Sequence, residues 1–212
     1  MSEPGSHDFA VVSTEDVHIG RVVALRVDEV RMPGGGVARR EVVEHLGAVA
    51  IAAVDDDERV TLIHQYRHPL GRRIWELPAG LLDQHGEVPV DTARRELVEE
   101  AGLQAQRWET LVDVAASPGF TDEVVRVFLA RGVSEVERPP GHDDEEADLV
   151  VHQVPLAEAV RMALAGELVN GATVAGVLAA HTVLTGAART RPADAPWQDR
   201  PATFATRGAD RR

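Results

Sequence analysis

The chain has 212 residues, 44% of them hydrophobic, and a net charge of −13. That length supports one sizeable core with a small second module, and the acidity argues against a general affinity for nucleic acid or anionic membrane. There is no Cys, which excludes disulfides, a thiol nucleophile and zinc-thiolate sites.

The opening M-S-E-P-G-S-H-D-F has no basic-then-apolar segment, so no signal peptide is expected. No apolar run reaches the roughly 18 residues of a membrane span. A soluble cytoplasmic protein is the expectation. Residues 1–16 are polar and are expected to fray. Residues 21–30 and 37–44 read as strands on either side of a P-G-G-G turn, a small antiparallel sheet that must pack on something else. The run G-A-V-A-I-A-A-V at 47–54 predicts a strand covered on both faces. The acidic 55–59 segment reads as a solvated turn. Residues 60–66 and 72–77 read as further strands.

Residues 88–101 predict a helix, with Val90, Ala93, Leu97 and Ala101 recurring at helical spacing. Pro89 suits its first turn and Gly102 its end. Strands are expected at 106–115 and 123–130, separated by S-P-G-F-T-D. A long acidic loop follows at 134–148, then a strand at 149–154 and helices at 155–164 and 171–185. From 187 the composition is Ala, Pro and Arg, which predicts a weakly structured tail. The expected domains are therefore 1–45, 46–186 and a tail at 187–212.

Glu96, Glu99 and Glu100 lie within about one helical turn of each other, off the Leu97 stripe. Like charges so placed destabilise an isolated helix by roughly a few tenths of a kcal/mol per pair. A hard divalent cation, which prefers oxygen ligands, is the simplest compensation. A solvated helix face is the competing reading.

Gly80, Glu87 and the run R-E-L-V-E-E-A-G-L at 95–103 resemble the Nudix box, G-x5-E-x7-R-E-U-x-E-E-x-G-U with U aliphatic. One departure is visible: six residues, not five, separate Gly80 from Glu87. The insertion falls in a loop, which absorbs it more easily than a helix. The resemblance implies an α/β fold, the Nudix α/β/α sandwich with a mixed sheet, plus the small N-terminal antiparallel β-module. It implies Mg²⁺ or Mn²⁺ held by Glu96, Glu99, Glu100 and the Ala79 main-chain carbonyl, with Arg95 paired beside them. Such metals neutralise a pyrophosphate and orient an attacking water.

Pro118, fifteen residues after Leu103, resembles the marker of the ADP-ribose pyrophosphatase subgroup. The segments I-H-Q-Y-R-H-P-L, S-P-G-F-T-D-E and G-E-L-V-N-G-A-T resemble the same subgroup. By that resemblance Glu145 or Glu146 in the acidic loop acts as general base or completes the metal shell, with Glu99 and Arg95 assisting catalysis. Arg67, Glu76, Pro118 and Phe120 are implied substrate contacts. A surface ion pair for Arg67, and strand-end packing for Glu76 and Phe120, are the alternatives. The implied reaction is hydrolysis of ADP-ribose to AMP and ribose 5-phosphate by a homodimer with exchanged N-terminal modules. The rivals are another nucleoside diphosphate sugar, such as GDP-mannose, and a non-catalytic ADP-ribose-sensing module.

Overall fold

The computed structural model describes residues 6–84, 86–139 and 148–207. In chain order the elements are β1 (Val11–Ile19), β2 (Val23–Arg31), β3 (Val37–His45), β4 (Ala48–Ala53), β5 (Arg59–Arg67), β6 (Arg72–Glu76), β7 (Ala79–Leu81), α1 (Pro89–Ala101), β8 (Leu103–Ala115), β9 (Val124–Glu135), β10 (Val150–Pro155), α2 (Leu156–Leu164), α3 (Gly171–Leu184), β11 (Arg191–Pro192) and α4 (Thr203–Arg207). No helix among the described residues is long and apolar enough to cross a membrane. The chain divides into two compact units: Met1–Gly47 with Ala115–Glu123 and Asp199–Arg212, and Ala48–Val114 with Val124–Gln198.

The first unit is built on the antiparallel sheet β1-β2-β3. The expectation of fraying over residues 1–16 covers the first part of β1; V-V-S-T-E-D-V-H-I lacks a clean alternation, but it pairs with Ala24–Val30 of β2 with two register shifts. Glu44 of β3 is fully buried. Its charge is met by Arg26 of β2 and by Arg207 of α4, whose Nη2 donates to Oε1 at 3.0 Å. Arg207 also reaches Asp16 at 2.7 Å. Burial alone would raise the Glu44 carboxyl, but the two guanidinium groups hold it below its ordinary value. Phe204 is buried as well. The segment 115–123 pairs with β3: the Val43 amide donates to Phe120 O at 2.7 Å and the His45 amide to Asp122 Oδ1 at 2.8 Å.

The second unit holds an antiparallel sheet, β10-β5-β6, and a mixed sheet, β11-β8-β9-β4-β7, in which β4 runs parallel to β9 and antiparallel to β7. Every residue of β4 is buried, as a small apolar run between two layers requires. Ala48, Ala50 and Ala52 face Leu156 and Ala159 of α2 and Val177 and Ala180 of α3. Val49, Ile51 and Ala53 face Val90, Ala93 and Leu97 of α1. The result is an α/β/α sandwich. Each large side chain fully buried in it contributes about 1.5–3 kcal/mol.

The expected weakly structured tail is corrected over 190–207. β11 pairs with β8, and Thr110 Oγ1 donates to Pro192 O at 3.0 Å. Arg126 of β9, 2% exposed, donates to the carbonyls of Ala195 and Pro196 and lies 4.6 Å from the Trp197 ring centroid. Composition missed this because the partners that order the segment, Arg126 and Thr110, are more than sixty residues away.

Candidate active site

α1 begins at Pro89, whose missing N–H costs nothing in a first turn. It ends at Gly102, where φ is +64° and the amide donates to Val98 O at 3.0 Å. That left-handed cap is cheap for glycine. Docking of Val90, Ala93 and Leu97 against the sheet leaves Arg95, Glu96 and Glu99 partly open, while Glu100 is 7% exposed.

Arg95 organises the acidic residues. Its Nη1 donates to Glu96 Oε1 at 2.7 Å and to Glu99 Oε2 at 2.8 Å. Its Nε and Nη2 reach the two carboxylate oxygens of Glu87 at 3.4 and 3.3 Å, and Thr92 Oγ1 donates to Glu87 at 2.8 Å. Glu87 therefore joins the cluster despite the extra loop residue. Glu100 Oε2 accepts the Ala79 amide at 2.8 Å. The Glu96 carboxyl group lies directly over Gly80, where any Cβ would collide with it. Glycine at 80 answers to close approach rather than to backbone dihedral.

Burial pushes the Glu96 carboxyl up to about 7; Arg95 pulls it down, and the charges of Glu99 and Asp83 reinforce the rise. One cation shared among three carboxylates leaves the cluster short of positive charge. Among the described residues no group of three His, Asp or Glu side chains is arranged to hold a metal ion. Arg95 draws Glu96 and Glu99 to itself, and Ala79 N–H takes one oxygen of Glu100. The donors nevertheless fit a hard divalent cation: all are oxygens, and a second positive charge would relieve the half-buried Glu96.

A second polar cluster lies at the end of β6. Glu76 is 2% exposed. Its Oε2 accepts from Arg67 Nε and Gln65 Nε2, both at 2.8 Å, and its Oε1 from Asn170 Nδ2 at 2.6 Å. Both Glu76 oxygens therefore accept hydrogen bonds from inside the protein. Arg67 keeps 43% of its side chain exposed. Among the described residues its Nη groups meet no acceptor, so the guanidinium is anchored at one edge and open at the other. Asn170 and Gln65 were not singled out from the sequence. Asn170 carried a signal in its position immediately before a helix.

Pro118 and Phe120 lie in the 115–123 segment of the first unit, both exposed, Phe120 at 56%. Glu145 and Glu146 fall outside the described residues. On either side of them, Arg138 Nε donates to Glu99 O at 2.9 Å and Asp148 pairs with Arg73.

Residues 43–173 match the NUDIX domain family. An ADP-ribose pyrophosphatase of Mycobacterium tuberculosis is 58% identical over 205 residues, which is 97% of this chain and 99% of that protein. A methanol dehydrogenase activator of Bacillus methanolicus is 40% identical over 167 residues, 78% of this chain and 89% of that one. A crystal structure of an ADP compounds hydrolase superposes with a TM-score of 0.73 at 20% identity, covering 86% of this chain and 98% of its own, a likeness of fold. With the box residues gathered around Arg95 and Gly80, and that domain spanning most of its length, the chain belongs to the NUDIX domain family.

Proposed function

We propose that this chain hydrolyses the pyrophosphate of ADP-ribose, giving AMP and ribose 5-phosphate, with a divalent cation, Mg²⁺ or Mn²⁺. The observation that carries this reading is the 58% identity to an ADP-ribose pyrophosphatase over nearly the whole of both chains. Every charged box position is retained, from Glu87 to Glu100.

In this reading Glu96, Glu99, Glu100 and the Ala79 carbonyl hold the cation. A cation held there would supply positive charge against the pyrophosphate and Lewis acidity toward the attacking water. Arg95 keeps the carboxylates in register and remains a cation, because its carboxylate neighbours outweigh the cost of its burial. The exposed edge of Arg67 binds a phosphate or sugar oxygen. Pro118 and Phe120 are assigned to the nucleoside on sequence grounds alone, and Glu145 or Glu146 supplies the base. We assign the working form to a homodimer in the cytoplasm that exchanges the module at residues 1–45. Eight of the nine β1 residues are exposed, which supports a partner for that strand.

A substrate panel with phosphate-product detection tests the assignment. ADP-ribose is expected to turn over at least tenfold faster than GDP-mannose; equal rates would defeat it. A sensing module predicts binding without turnover. A second reading, action on a dehydrogenase, is favoured by the Bacillus methanolicus likeness. It predicts stimulation of methanol dehydrogenase by the purified chain.

A further inference from the structure

We propose that Asn170 is a positioning residue for substrate binding: it holds Glu76, and Glu76 aims Arg67. The inference rests on the reading above, in which Arg67 meets the substrate. Asn170 works with both ends of its amide. Its Oδ1 accepts the Thr173 amide at 2.9 Å and caps α3, while its Nδ2 donates to Glu76 at 2.6 Å. The cap fixes which end faces which, since only Nδ2 can serve a carboxylate.

Thr173 adds a second tie one turn into the same helix: its Oγ1 accepts the Leu77 amide at 2.9 Å. The start of α3 therefore grips two consecutive residues, Glu76 and Leu77. Two residues on, Ala79 donates to Glu100, and Gly80 lies under Glu96. α3 itself is set close, because a Cβ at Gly176 would stand 2.7 Å from Leu77 Cδ1. The grip is thus anchored in the core.

Glu76 is buried and needs its donors. Removing the one from Asn170 frees the carboxylate to turn, and Arg67 Nε turns with it. A guanidinium displaced by about 1 Å loses aligned contacts to a phosphate or sugar. The loss falls on binding first, so KM moves before kcat.

The test uses Asn170→Asp, which keeps a good helix cap but sets a second carboxylate against Glu76. KM for ADP-ribose is expected to rise at least tenfold, with kcat within threefold and the melting midpoint within a few degrees. The double variant N170D/E76Q restores a donor between the two positions while residue 76 still accepts from Arg67. Its KM is expected to return to within threefold of the wild-type value. Adding Arg67→Ala to N170D is expected to cost less than the product of the two single effects. If N170D does not fold, Asn170→Ser, which caps without an amide donor, takes its place with the same expectation for KM. A KM within twofold of wild type in a folded variant overturns the inference, as does full multiplicativity with Arg67→Ala. No turnover of ADP-ribose by the wild-type chain overturns the functional reading as well. Turnover by wild type with an unmoved KM in N170D overturns only the role of Asn170.

Discussion

Glu100 accepts the Ala79 amide from a position that is 7% exposed, and Glu96 rests on the bare Cα of Gly80. These contacts make single substitutions informative. Glu100→Gln keeps an acceptor for Ala79 but removes a charge offered to the cation. Its kcat/KM should fall by about 100-fold or more, with the melting midpoint nearly unchanged in a thermal scan. An unchanged rate would remove Glu100 from the metal site. Gly80→Ala leaves the backbone dihedral acceptable but pushes the Glu96 carboxylate aside. Steady-state kinetics should show a loss of about 10–100-fold in a protein that still folds, as circular dichroism would report. At this scale the box was readable because its spacing is local: residues 95–100 belong to one helix, whose geometry follows from the chain. The roles of Glu76 and Asn170 were not readable, since 94 residues separate them and nothing in either neighbourhood names the other.

The elements show how distant segments share the core. β9 carries Arg126 into a buried position, where Asp113 Oδ1 of β8 accepts from its Nε at 2.7 Å and the 195–196 carbonyls accept from its Nη groups. Burial would raise the Asp113 carboxyl, but Arg126 and Arg191 outweigh it and hold the group below its ordinary value of 3.8. The anion is the form the fold favours. Its contribution is therefore present above 3.8 and is lost as pH falls through the lower folded value. Asp113→Asn leaves Arg126 buried without its counter-charge, a cost of about 3 kcal/mol. Chemical denaturation at pH 7 should show that loss, and acid titration should show a shallower decline in the variant than in wild type. A variant as stable as wild type would mean the pair contributes nothing. Gly176 offers a second check on packing. Leucine there meets Leu77 Cδ1 and Val127 Cγ1, both already within 3 Å of a Cβ. The overpacked α3 should cost about 1–3 kcal/mol by the same measurement.

For the whole molecule, the exposed valines of β1 suggest what the isolated chain leaves uncovered: Val11, Val12 and Val17 are 50–56% exposed on one edge strand. Analytical ultracentrifugation at micromolar concentration is expected to show a dimer, and removal of residues 1–45 a monomer. A full-length monomer at that concentration would defeat the exchanged-module assignment. By itself the sequence carried the resemblance to the Nudix box, and through that resemblance the reaction class and the layers of the sandwich. The box carboxylates and the apolar stripe of α1 are spacings within one helix, which helix geometry turns directly into faces, and the continuous apolar run of β4 marks a strand covered on both sides. Only the tertiary structure decided that residues 190–207 are ordered, that Glu76 points inward, and that Asn170 and Gln65 hold it there. Those outcomes depend on which elements become neighbours, and long-range pairing leaves no local signature. The helix at 89–101 carries the box carboxylates; the start of α3, about seventy residues later, holds Glu76, which Arg67 meets.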